Sequence, residues 1–177
     1  MSKPLDSYWD VLEPHFEAIN IYEDPDTLAG AVADIPRYIV LLYAAHMCQS
    51  EVHNGGFLQL FWNGTGIIVP DAIEAYKTIG MPILASLLEQ AAHPLGSPYP
   101  LDRDDRWDAL LHATGLNEEE LEAIFKTEDN LYIAFVKATK NLPFDDLDRQ
   151  FWDAVKTENG GFETAATRYA QSSFLLR

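Results

Sequence analysis

Basic side chains are scarce in this sequence of 177 residues. Twelve Lys and Arg stand against 28 Asp and Glu, a formal charge of −16 at pH 7, and neither a Lys nor an Arg occurs between Lys3 and Arg37. A field of that sign repels nucleic acid and anionic membrane and draws basic partners. Direct nucleic-acid binding and membrane-surface binding are therefore excluded as readings. Cysteine is nearly absent as well. Cys48 stands alone, so no internal disulfide can form, and the apolar run around it, YIVLLYAAHMC, predicts a buried thiol. That run is the richest in the chain, yet it is too short to span a bilayer. The opening residues MSKPLDSYWDVLEP lack the apolar centre of a secretory signal and turn acidic at once. These absences predict a cytoplasmic protein.

Catalytic signatures are missing too. No Ser sits in a nucleophile-elbow context, and Cys48 has no activating base beside it. The five histidines are His15, His46, His53, His93 and His112. His46 and His53 lie seven residues apart, on nearly one helical face, with Glu51 close by. That trio is a candidate metal site, but no H-E-x-x-H pattern or cysteine ligand accompanies it, and helix-end histidines more often cap or face solvent. The expectation is no enzyme, no metal and no cofactor.

What the chain does have is apolar substance. Hydrophobic residues make up 47% and aromatics 12%, enough for a real core in one domain spanning residues 1–177. Trp9, Leu12, Phe16 and Ile19 recur at helical spacing, with Pro14 inside the pattern predicting a kink or two short helices. A short helix is expected over 27–34, and a long one opens at Pro36 and runs to about Val52. Pro70 and Pro82 open two more, with Gly80 placed to close the first. Pro94, Gly96, Pro98 and Pro100 make 93–102 a loop. Beyond it, helices are expected over 104–114 and 118–126, the second with Asn117 and Glu120 in capping-box spacing. Thr127 is the expected cap of the helix in EDNLYIAFVKATK. Helices after Pro143 and from Phe162 complete the chain; Trp9, Trp62, Trp107 and Trp152 read as core or interface anchors. Only GIIVP at 66–70 resembles a strand. The fold class is all-α, a compact bundle of about nine short-to-medium helices.

The stretch SEVHNGGFLQLFWNG, residues 50–64, reads best as a corner between helices. The long helix runs into Asn54, Gly55 suits a left-handed C′ residue, and Gly56 lets the next helix start with Phe57, Leu60 and Phe61 on one face. Asn63 and Gly64 end it. TENGGFETA at 157–165 repeats the pattern, which favours architecture over a unique active site. No strand precedes the glycines and no P-loop Lys or Ser/Thr follows them. Asn54, Gly55, Gly56, Phe57, Gln59 and Asn63 are thus structural motif residues.

The acids themselves have a pattern. Asp6, Asp10, Glu13 and Glu17 are spaced 4, 3 and 4 apart. On one helix their carboxylates would recur every ~5 Å, comparable with one DNA strand's phosphate every ~3.4 Å. Glu23, Asp24 and Asp26 continue this stretch; Glu118, Glu119 and Glu122, then Asp145, Asp146 and Asp148, form two more. A solvated helix face explains such acids equally well.

EVHNGGFLQLFWNGTG, followed by PDAIEAYKTIGM, resembles the hallmark of a bacterial family whose best-described member is a DNA mimic. Glu51, Val52, Asn54, Gly55, Gly56, Phe57, Gln59, Phe61, Trp62, Asn63, Ile79 and Gly80 match its pattern. Leu60 departs from it, standing where an aromatic is expected. FDDLDRQFWDAV is similar to a later helix of the family. The resemblance implies an all-helical, non-enzymatic, cytoplasmic homodimer that occupies the DNA-binding face of a basic DNA-binding protein. Two other readings stay open: an inhibitor or immunity protein for a basic nuclease or toxin, and a metal- or small-molecule-binding enzyme built on His46, Glu51 and His53.

Overall fold

The computed structural model describes residues 5–21 and 24–175. Among them the chain folds into a compact bundle of ten α-helices, with no strand. These are α1 (Trp9–Phe16), α2 (Pro25–Val32), α3 (Arg37–Trp62), α4 (Val69–Thr78), α5 (Pro82–Ala92), α6 (Arg103–Ala113), α7 (Glu118–Thr127), α8 (Leu131–Thr139), α9 (Phe144–Thr157) and α10 (Phe162–Leu175).

Local chemistry sets most of the boundaries. Asp24 caps α2 by accepting the amides of Asp26 and Thr27, with Pro25 at the first helical position. Pro70 and Pro82 occupy first turns of α4 and α5, and Gly80, at φ +81°, ends the chain's run through α4. Asn117 and Glu120 make the reciprocal capping box of α7. Two expectations need correction, and one strand-like run resolves into a turn. Thr127 does not cap α8: it closes α7, its hydroxyl donating to the Ile124 carbonyl, and Asn130 caps α8 through the Ile133 amide. The strand-like run GIIVP fits the all-α reading: Gly64–Ile68 winds into a 3-10 turn and Val69 begins α4. The α1 helix passes through Pro14 but starts only at Trp9, so it is two turns long.

α3 carries the core. Ile39 to Ala45, Cys48, Val52, Phe57, Leu60 and Phe61 are all buried on it, around its whole circumference. A helix apolar on every side belongs in the middle of a bundle, and α4, α9, α1, α6 and α10 pack on it. Edge-on aromatic contacts run from Phe57 to Phe151 (5.2 Å), Phe151 to Tyr76 (5.9 Å) and Tyr76 to Phe162 (6.5 Å). The buried hydroxyl of Tyr76 donates to the Ala45 carbonyl and that of Tyr43 to Ile19, 3.0 Å each. Arg106 is buried with no carboxylate partner among the described residues. Its guanidinium instead donates to the carbonyls of Phe61, Asn63 and Leu101, which fastens α6 and the 3-10 turn to the end of α3. A side chain at Gly66 would lie 2.6 Å from Arg106 Nε, so this glycine makes room for the arginine.

Candidate functional site

The asparagine-glycine-glycine stretch forms a corner within α3. α3 bends at Gly55 and Gly56, the latter at φ +75° and ψ −178°. Expectation placed the left-handed residue at Gly55; the structure places it at Gly56, while Gly55 is extended at φ −160°. α9 grips both sides of the bend. Trp152 Nε1 donates to the Val52 carbonyl at the end of the first arm (3.0 Å), and Asp148 Oδ1 accepts the Phe57 amide at the start of the second (2.7 Å). These are the groups a broken helix leaves without partners. The carboxylate of Glu51 spans the bend, accepting from Gln59 Nε2 (3.0 Å) and from the side-chain amide of Asn63. Asn54 and Gly55 are exposed, while Gly56 and Phe57 are buried.

The second corner has the same logic. Asn159, Gly160 and Gly161 all take positive φ, at 53°, 85° and 88°. Glu158 caps α5 by accepting the amides of Ile83 (2.7 Å) and Leu84 (3.1 Å). Asn159 Nδ2 donates to the Ile79 carbonyl (3.3 Å), and Arg168 donates to the Asn159 side chain (2.9 Å). Acids at both ends of α9 thus serve as caps for other helices.

The histidines do not converge. His46 Nδ1 lies 2.9 Å from the Tyr8 hydroxyl, with the rings of Trp9 and Phe16 against it, and burial holds its pKa below the usual histidine range. His53 is exposed and meets the edge of Trp152. With Glu51 committed to the corner, the trio is dispersed, and no cluster of metal-ligating side chains occurs among the described residues. Cys48 is fully buried and its thiol is pushed up to about 12 by burial, which makes it unreactive.

The candidate acids fall on separate elements. Asp10 and Glu13 lie on α1, Asp6 precedes it and Glu17 follows it, so the four are not one helical stripe, though all four are exposed. Asp10 draws the chain round by accepting the amides of Asp6 (2.8 Å) and Ser7 (3.1 Å). Asp24 and Asp26 sit at the start of α2, and hydrogen bonds from Thr27 keep the Asp24 carboxyl below the usual range. Glu23 lies outside the described residues. Glu118, Glu119 and Glu122 are exposed on α7, which packs against α8; Glu122 pairs with Lys126 (2.6 Å). Asp145 and Asp146 are exposed on α9, Asp146 paired with Arg149. Asp148 differs: it is half-buried and turned to the corner, and burial, with Asp145 nearby, raises its pKa to about 6.

One acidic cluster escaped the sequence reading. A cleft of about 350 Å³ between the starts of α2 and α6 is lined by Asp24, Asp102, Arg103 and Asp104. Asp102 caps α6, accepting from Asp104 (2.8 Å) and Asp105 (3.3 Å). In DRDDRWD the interleaved arginines hide this acidity. Arg103 leans over the Trp107 ring (4.8 Å) within 3.9 Å of the Asp104 carboxylate, and Arg106 turns inward, leaving Asp102 outside.

Residues 33–173, most of the chain, match the protein family described as DMP19-like protein. The chain belongs to the DMP19-like family. The residues that carry the resemblance include those that build the corner: Glu51, Gly56, Phe57, Gln59 and Asn63. The DMP19-like family is one of acidic, all-helical, DNA-mimic-type proteins, and this member is a non-enzymatic protein that works through contacts with other proteins. No match was found among curated proteins or among solved structures. Among the described residues no helix is long and apolar enough to cross a membrane.

Proposed function

We propose that this protein, acting as one acidic domain in the cytoplasm, occupies the DNA-binding surface of a basic bacterial DNA-binding protein, and does so as a homodimer. The observation that carries the proposal is the placement of its few bases. Arg37 pairs with Asp71 and Glu74, Lys77 with Glu89, Arg103 with Asp104, Lys126 with Glu122, Lys137 with Glu128 and Arg149 with Asp146. None of these reaches α1 or α2. Glu13, Glu17 and Asp26 are exposed and make no ion pair among the described residues. Carboxylates such as these, with no counter-charge among the described residues, are available to a partner's Lys and Arg, as duplex phosphates are. The proposed partner-binding set takes in the whole acidic segment of Asp6, Asp10, Glu13, Glu17, Glu23, Asp24 and Asp26, with Asp102 beside it, and the outlying Glu118, Glu119, Glu122, Asp145 and Asp146, of which Glu122 and Asp146 already pair with Lys126 and Arg149.

Affinity capture from a nuclease-treated lysate, eluted with a salt gradient, tests this. A DNA-binding protein released by moderate salt and by competing duplex is the expected catch. The variant Glu13→Gln/Glu17→Gln/Asp26→Asn alters no cap or core contact, and it should capture less. A basic nuclease or toxin in its place would replace mimicry with inhibition, and capture insensitive to salt would refute both. Light scattering on a sizing column reads the dimer.

A further inference from the structure

We propose that the groove beside the α3 corner is a socket for one arginine side chain of the basic partner, stem against Leu58, Tyr132 and Val136, guanidinium against Asp145 and Asp148. The groove measures about 260 Å³ and is walled by α8, the start of α9 and the outer side of the corner at Gly55. That is room for a long side chain, not for a helix. Its apolar wall is exposed in part: Val136 is 39% accessible.

The charge in this groove is unbalanced. Asp145 and Asp148, three residues apart on α9, present their carboxylates on one face. Asp148 is half-buried and has the Phe57 amide as its hydrogen-bond donor. Neither aspartate forms an ion pair among the described residues; Lys140 lines the groove but pairs with neither. Burial of Asp148, with Asp145 nearby, raises its pKa to about 6 even though the Phe57 amide acts to lower it. A cation entering the groove would balance that charge. Arginine fits better than lysine because a planar fork can meet two carboxylates at once and lie on the Tyr132 ring, while its stem covers apolar wall.

The inference rests on the proposed basic partner, but the two can be separated. Amide spectra of the ¹⁵N-labelled full chain are recorded during titration with N-acetyl-arginine amide, and with N-acetyl-lysine amide at matched ionic strength. Saturable shifts at Phe57, Leu58 and Val136 are expected with the arginine compound, and smaller ones with the lysine compound. They should vanish in Asp145→Asn/Asp148→Asn, which keeps an acceptor for the Phe57 amide. They should also vanish in Val136→Lys, which changes an exposed position and fills the groove with an amine. Equal shifts with both compounds, shifts retained in the variants, or shifts confined to α1 and α2 would overturn the socket. A DNA-binding protein captured equally well by wild type and the double aspartate variant would also remove the socket and leave the proposed function standing. Arginine binding at the groove with no basic protein captured would remove the function and leave the socket.

Discussion

Single residues at the corner show how finely the hallmark motif is constrained. Gly56 and Gly96 share a backbone region that is nearly restricted to glycine, at φ +75° and ψ −178° against φ +94° and ψ −176°. Their surroundings differ. A Cβ on Gly56 would collide with the Asp148 carboxylate, whereas one on Gly96 would meet nothing within 4 Å. Gly96→Ala should therefore cost about 1–3 kcal/mol of backbone strain alone, and Gly56→Ala at least about 1 kcal/mol more through the lost Phe57 cap. Urea unfolding of the two variants reads the difference; equal losses would mean that Asp148 is not fixed at the bend. Asp148 also gives a pH dependence. Its folded pKa of about 6 lies above the unfolded value of 3.8, so the folded state holds the extra proton between them. Its contribution to stability is full below pH 3.8 and is lost as pH rises through about 6. Asp148→Asn keeps the acceptor without the desolvated charge. It should match or exceed wild type at pH 7, and the stability difference should shrink on acidification to pH 4. A difference that stays constant with pH would assign the raised pKa to another group.

Helices were legible in the sequence where caps and prolines mark them. Asn117 with Glu120, Pro82 and Gly80 each announce a boundary through a donor satisfied, a missing N–H or a positive φ, and all three act locally. The misplaced cap at Thr127 failed for a different reason: Asn130 competes for the same helix start. The acidic stripe was legible as composition but not as geometry, because Asp10, in the first turn of α1, accepts the amides of Asp6 and Ser7 ahead of the helix and so leaves Asp6 off it. Likewise, nothing in FDDLDRQF marks Asp148 as the inward one; the decision is made by a backbone amide 91 residues away. Long-range contacts also govern how α1 is held. Its anchor is the Tyr8 hydroxyl on His46, beneath Trp9 and Phe16, with Glu163 close enough to act on Tyr8, whose pKa rises to about 12, chiefly by burial. Burial lowers the His46 pKa, so the stabilisation from the neutral ring is full above the unfolded value near 6.5 and lost as pH falls below it. Amide exchange at Val11 and Leu12 should accelerate between pH 7.5 and 5.5 after correction for intrinsic rates. In His46→Phe that acceleration should disappear. Exchange that is flat in wild type would mean α1 does not depend on the histidine's charge.

On the scale of the whole molecule, a charge of −16 acts on the fold and on partner binding with opposite signs. Within the chain most carboxylates repel one another, and the ion pairs that offset them are largely exposed, Arg37 at 50% and Lys126 at 71%. Such pairs contribute only about 0–1 kcal/mol each. The self-repulsion is thus the larger effect, and salt relieves it once the screening length falls to ~10 Å near 0.1 M. Between a basic partner and the acidic surface the same screening removes attraction. Raising NaCl from about 50 to 500 mM should therefore raise the melting temperature and weaken the complex in the same samples. Two identical acidic chains repel as well, so dimerisation should strengthen along with the fold. The neutralised variant Glu13→Gln/Glu17→Gln/Asp26→Asn should show a shallower salt response in both directions, gaining less stability and losing less affinity. A complex that tightens with salt would point to apolar contact as its main attraction, and the acids of α1 and α2 would then be serving solubility alone.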